Sequence, residues 1–148
     1  EVYRYMPGLK KESVYLVDLP HATIYNNETE LTTKYEQFML LRDDVLKALE
    51  NARNDKIIGK SLNAHLLINP TPKVGKLISS LRVNLAQVFI VSQLTITDEG
   101  LEGETFPSGI IKVELAQGET CSRCWQVVES INEEELCPRC QHIVANLK

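Results

Sequence analysis

The residues best suited to chemistry in this sequence are its four cysteines. They read Cys121-Ser-Arg-Cys124, then twelve residues, then Cys137-Pro-Arg-Cys140. Each Cys-x-x-Cys turn offers two thiolates on one side of an ion, and zinc prefers four such ligands in a tetrahedron. Backbone amides within each turn can point back at the sulfurs and stabilise their charge. Four thiolates close the coordination shell and leave no position for an activated water. The pattern therefore predicts one structural, non-catalytic Zn2+ per chain. The competitors are two disulfides or a redox Cys-x-x-Cys. The latter needs a preceding strand, a long following helix and a larger α/β sheet, and none of these can be read around the motifs. All four cysteines fall in the last 28 residues, so nothing stitches the rest of the chain as in a secreted disulfide scaffold. His142 follows closely, but with four thiolates available it reads as a surface histidine.

Arg123 and Arg139 occupy the same place in each knuckle, just before the second cysteine. They can offset the charge of about −2 on a four-thiolate zinc centre, or face phosphate and base edges of a nucleic acid. Trp125, the single tryptophan, follows Cys124. It can plug a module too small to build its own core, or stack on an unpaired base.

The elements that must position these residues are legible as periodicity. Phe38, Leu41, Val45, Leu49 and Ala52 recur at spacings of three and four, predicting a helix from about Thr33 to Ile58. Thr33 with Glu36 forms a capping-box pattern, and Gly59 suits the left-handed residue after the helix end. Leu62, Ala64, Leu66 and Ile68 alternate as a strand ending at Asn69-Pro70. Val74, Leu77, Ile78 and Leu81 repeat at helical spacing. Val88 to Ile96 reads as a second strand, and Ile111, Val113 and Leu115 as a third after a polar loop bracketed by Gly100 and Gly103. This is an α+β chain: one long helix, a small βαββ unit of three strands backed by one helix, then the cysteine module. Expected divisions are 1–60, 61–118 and 119–148. Residues 1–31 could hardly bury a core alone and are expected to pack on something else.

The 148 residues are 43% apolar and 24% charged, which are globular proportions. Neither a membrane-length apolar run nor a secretory signal is visible, so Asn27-Glu28-Thr29 is read as a chance sequon. The net charge of −4 argues against strong, autonomous nucleic-acid binding, because phosphate neutralisation supplies most of that affinity. The opening Glu1-Val2-Tyr3 fits a processed chain or a piece of a longer one.

Several stretches together resemble the C-terminal region of bacterial-type isoleucyl-tRNA synthetases. They are Arg42 to Leu62, Gln87-Val-Phe-Ile-Val-Ser92-Gln93, Lys112 through Gly118 to Trp125, and Cys137-Pro138-Arg139-Cys140, with Ser13 to Pro20 upstream. The resemblance covers nearly the whole chain in the family's order. It implies that 1–60 is the end of a helical anticodon-binding domain, 61–118 a junction domain and 119–148 the zinc module. It further implies a cytoplasmic, monomeric, membrane-free protein whose partners are an isoleucine tRNA, at its anticodon stem-loop, and the remaining domains of the same synthetase. Trp125, Arg123 and Arg139 become candidate RNA contacts, with Arg53, Lys56 and Lys60 as a weaker basic cluster. That cluster also reads as a solvated helix end whose cations suit the helix dipole. The HIGH and KMSKS signatures that bind ATP in such enzymes are absent from this sequence, as is a Gly-rich phosphate loop, so the chain is expected to be non-catalytic. The rival reading is the DNA-binding tail of a formamidopyrimidine-type glycosylase, which shares the Cys-Pro-x-Cys-Gln pattern. A purely structural zinc module is a third.

Overall fold

A computed structural model describes residues 2–8, 11–98 and 100–147. After a short helix α1 (Val2–Tyr5) and a 3-10 turn at Val14–Leu16, the chain enters the long helix α2 (Glu28–Asn54). Its expected apolar positions Phe38, Leu41, Val45, Leu49 and Ala52 are all buried, joined by Ala48. Both expected ends move. The helix begins at Glu28, five residues before Thr33, with Glu28 and Glu30 in the first turn where the helix dipole favours negative charge. Thr33 and Glu36 are therefore interior, and no box forms there. At the other end the left-handed residue is Lys56 (φ 59°) rather than Gly59. The Ile57 amide donates to the Ala52 carbonyl at 2.9 Å and the Lys56 amide to Arg53 at 3.0 Å, closing a Schellman cap.

A second 3-10 turn (Ser61–Asn63) leads into β1 (Ala64–Pro70), α3 (Pro72–Ser80), α4 (Leu85–Phe89), β2 (Gln93–Ile96), β3 (Glu104–Phe106) and β4 (Gly109–Leu115). The sheet has four strands in the order β2-β1-β4-β3, one more than the sequence suggested. β1 runs parallel to β2 and antiparallel to β4, with Ala64 opposite Leu115 and Pro70 opposite Gly109. The extra strand, β3, lies between the expected loop, which ends at Gly103, and the expected third strand, and pairs Phe106 with Gly109. The expected strand over Val88–Ile96 is shorter because its first residues belong to α4. Asn84 caps that helix by accepting from the Gln87 amide at 3.2 Å, and Ile90 (φ 59°) ends it in the left-handed region.

One face of the sheet carries Ala64, Leu66, Ile68, Ile111 and Val113 into a single apolar cluster with the buried stripe of α2, Leu81, Phe89 and Val91. Phe38 stacks on Phe89 with ring centroids 5.8 Å apart. Burying a side chain of this kind contributes about 1.5–3 kcal/mol, so α2 and the sheet stand or fall together. The described residues 2–8 and 11–27 contribute nothing to that cluster. Tyr15 and Leu19 are about nine-tenths exposed, as a segment expected to pack elsewhere should be. None of the described helices is long and apolar enough to cross a membrane.

Candidate metal centre

The first knuckle sits on a two-stranded antiparallel ribbon, β5 (Glu119–Thr120) with β6 (Val127–Val128). The ribbon needs Gly118 at its entrance. Its φ is +124°, and a Cβ there would lie 2.1 Å from the Val128 carbonyl oxygen. At the tip, the Trp125 amide donates to the Cys121 carbonyl at 2.9 Å, and the Cys121 amide to the Gln126 carbonyl at 3.0 Å. The second knuckle is the start of helix α5 (Pro138–Ala145), with Cys137 as its N-cap and Pro138 in its first turn. A tight loop joins the two. The Asn132 side chain accepts from the amides of Glu134 and Leu136, and the Ser122 amide crosses to the Glu135 carbonyl at 3.0 Å.

Folded this way, the four sulfurs of Cys121, Cys124, Cys137 and Cys140 lie within 4.8 Å of one another, with Cys124 and Cys137 3.8 Å apart. A tetrahedron of sulfurs about 2.3 Å from zinc has edges of about 3.8 Å, so the spacing fits the ion. The charge pattern fits too. Burial raises the Cys121 thiol, but the backbone amides of Cys137, Cys124 and Arg123 outweigh it and hold its pKa near 6; the Cys137 amide is 3.3 Å from the sulfur. Cys137 is pushed up to about 11 by burial and by the neighbouring sulfurs of Cys140, Cys124 and Cys121. Sulfurs this crowded ionise together only around a cation. The centre is a closed, structural site for one zinc ion.

The two arginines reach across the site. The Arg123 guanidinium donates to Cys140 of the opposite knuckle at 3.7 Å, and Arg139 bonds Cys124 as well as its neighbour Cys140. Charge compensation is thus built into the geometry, although both side chains stay exposed. Trp125 is no plug. It is 64% exposed, and the module's buried cluster consists of Leu136 with Cys121, Cys137 and Cys140. Its φ of 62° places a bulky side chain in a left-handed conformation that costs about 1 kcal/mol and that glycine would adopt freely. His142 is exposed and outside the sulfur cluster, as expected. Arg53 is committed within the fold: its guanidinium bonds Glu50 and the Ser61 hydroxyl, both at 2.6 Å. Lys56 and Lys60 are exposed at the end of α2.

Residues 118–143 match the family described as the zinc finger found in FPG and IleRS. Over 97% of its length the chain is 44% identical to isoleucine–tRNA ligase of Bacillus mycoides (strain KBAB4), covering 16% of that protein. It is 43% identical to the enzyme of Geobacillus thermodenitrificans (strain NG80-2), again over 97% of the chain and 17% of the relative. The chain corresponds in sequence to the C-terminal part of isoleucine–tRNA ligases. It spans about a sixth of the length of the curated relatives it matches. The isoleucine–tRNA ligase of Bacillus cereus (strain B4264) gives the same result, 44% identity over 97% of the chain and 16% of the relative. The isoleucine–tRNA ligase correspondence runs through the α2–sheet unit as well as the finger, whereas the finger description alone is shared with FPG.

Proposed function

We propose that this chain is the part of an isoleucine–tRNA ligase that holds the anticodon stem-loop of its tRNA, while ATP-dependent attachment of isoleucine takes place in domains outside it. The chain itself is non-catalytic in this reading, and its cellular setting is the cytoplasm, where tRNA is charged. Its closed zinc centre has a structural task, which is to hold one surface in shape.

The observation that carries the reading is Trp125. A large aromatic side chain, nearly two-thirds exposed and held in a strained backbone conformation beside the metal, is poorly explained by packing. It is well suited to stacking on an unstacked loop base. Arg123 and Arg139 flank it, fixed by their sulfur contacts and still open to phosphate on their outer edges. Lys56 and Lys60, exposed past the end of α2, are further cations on offer, with Arg53 committed to Glu50 and Ser61. Residues 11–27, with Tyr15 and Leu19 uncovered, form the seat for the remaining domains.

The test is titration of the zinc-loaded chain with an isoleucine anticodon stem-loop and with duplex DNA. Weak, salt-sensitive binding to the stem-loop is expected, because the net charge is −4 and only a few local cations are offered. Preference for duplex DNA would favour the glycosylase-type reading. Binding to neither at low salt would leave a purely architectural module.

A further inference from the structure

The metal module and the sheet have separate apolar interiors. The cluster around Cys121, Leu136, Cys137 and Cys140 shares no residue with the α2–sheet cluster. The orientation of one on the other is thus left to the contacts at their seam, where, beside the buried Val127, the side-chain hydrogen bonds are concentrated on two adjacent residues. The Ser92 hydroxyl donates to the Leu62 carbonyl at 2.6 Å and accepts from the Val127 amide at 2.8 Å. One hydroxyl thus ties the turn before β1, the start of β2 and strand β6. Beside it, the Gln93 side chain pairs with both backbone groups of Gln117. Its amide donates to the Gln117 carbonyl at 2.7 Å, and its carbonyl accepts from the Gln117 amide at 3.2 Å. Gln117 immediately precedes Gly118, where the chain enters the ribbon.

We infer that Ser92 and Gln93 form a latch that sets the angle of the zinc module on the sheet, and so act as positioning residues for the surface that carries Trp125. This rests on the proposed role of that surface. The seam grips the module at both ends of its ribbon. Gln93 holds Gln117, two residues before β5, and Ser92 holds the first residue of β6, two positions after Trp125. Neither contact touches a metal ligand, so the latch governs orientation without governing the metal. Zinc shapes the knuckles, and the latch aims them.

The experiment uses the full 148-residue chain, zinc-loaded, as wild type, S92A, Q93A, the double variant and S92T, which keeps a hydroxyl. Zinc content and circular dichroism establish that both parts remain folded in each. NMR residual dipolar couplings then report whether the sheet and residues 119–147 share one alignment. Wild type and S92T should fit a single alignment tensor. S92A and Q93A should need two, with the module averaging over a range of angles, and stem-loop affinity at low salt should fall roughly tenfold in the double variant. If the double variant keeps one tensor, the latch is overturned. If wild type fails to bind the stem-loop while the variants lose their common alignment, the RNA reading fails and the latch stands.

Discussion

The Arg123 guanidinium lies 3.7 Å from the sulfur of Cys140, seventeen residues away in the other knuckle. Together with Arg139 on Cys124, it makes a crossed pair of cations over a centre that carries about −2 once zinc is bound. Replacing both arginines with glutamine should weaken zinc affinity by about one to two orders of magnitude, the range seen when a partner of a metal ligand is lost. Competition with a chromogenic chelator measures this directly, and an unchanged affinity would mean that solvent already balances the charge.

Chelation should act locally. Removing zinc takes away the module's main source of folding energy, whereas α2 and the sheet keep their own buried cluster. Hydrogen exchange with and without chelator should show protection lost across 119–147 and largely retained in β1, β4 and α2.

Zinc uptake should release protons, and its pH dependence has a definite sign. Cys121, held near 6, is already largely ionised at pH 7, while Cys137, near 11 without metal, gives up its proton to the ion. A depressed thiol pKa contributes stability above its unfolded value near 9 that is lost as pH falls through 6. Acid should therefore loosen the site, and at neutral pH calorimetry in buffers of different ionisation enthalpy should report net proton release on binding.

Trp125→Gly separates recognition from folding. Glycine relieves the left-handed strain, so the change should leave module stability within about 1 kcal/mol of wild type. Stem-loop affinity should fall by the about 1–3 kcal/mol that base stacking contributes. Gly118→Ala should do the reverse of a neutral change. The added Cβ meets the Val128 carbonyl, and the ribbon must open, seen as weaker zinc retention and lost protection at Val127.

Ile90→Gly offers a gain. Ile90 is a β-branched residue with a φ of 59° and 57% exposure, so it carries strain and buries little. Its replacement should raise stability by up to about 1 kcal/mol, a few degrees in Tm for a chain of this size.

The parts legible from sequence were those with a period or a fixed spacing. The four sulfurs meet because two short turns each present a pair, and the buried face of α2 follows from repeats of three and four. What could not be read depends on partners distant in the chain. β3 is three mostly polar residues that become a strand only through pairing with β4 across the Pro107-Ser108 turn. Val88 and Phe89 have strand-like composition, yet Asn84 starts a helix beneath them. Lys56 takes the place expected of Gly59 because the cap closes on Ala52 and Arg53 as soon as their carbonyls are free. Ser92 lies in a stretch that carries the family resemblance, but nothing in its type or spacing marks its role, which comes from three segments meeting at one hydroxyl.

The pairing of β1 with β4 has a consequence for the order of events as the chain folds. Ala64 and Leu115 are partners across fifty residues, so the central ladder must close a long loop before it gains anything. The two knuckles close over only twelve residues and need a metal ion rather than a distant strand. During synthesis β1 leaves the ribosome before its partners; β2 can cover one edge, but the other stays bare until β4 emerges, and the metal-binding residues follow almost at once. The slow, aggregation-exposed interval lies in the sheet, and a chaperone that shields an unpaired central strand would act there rather than on the zinc module.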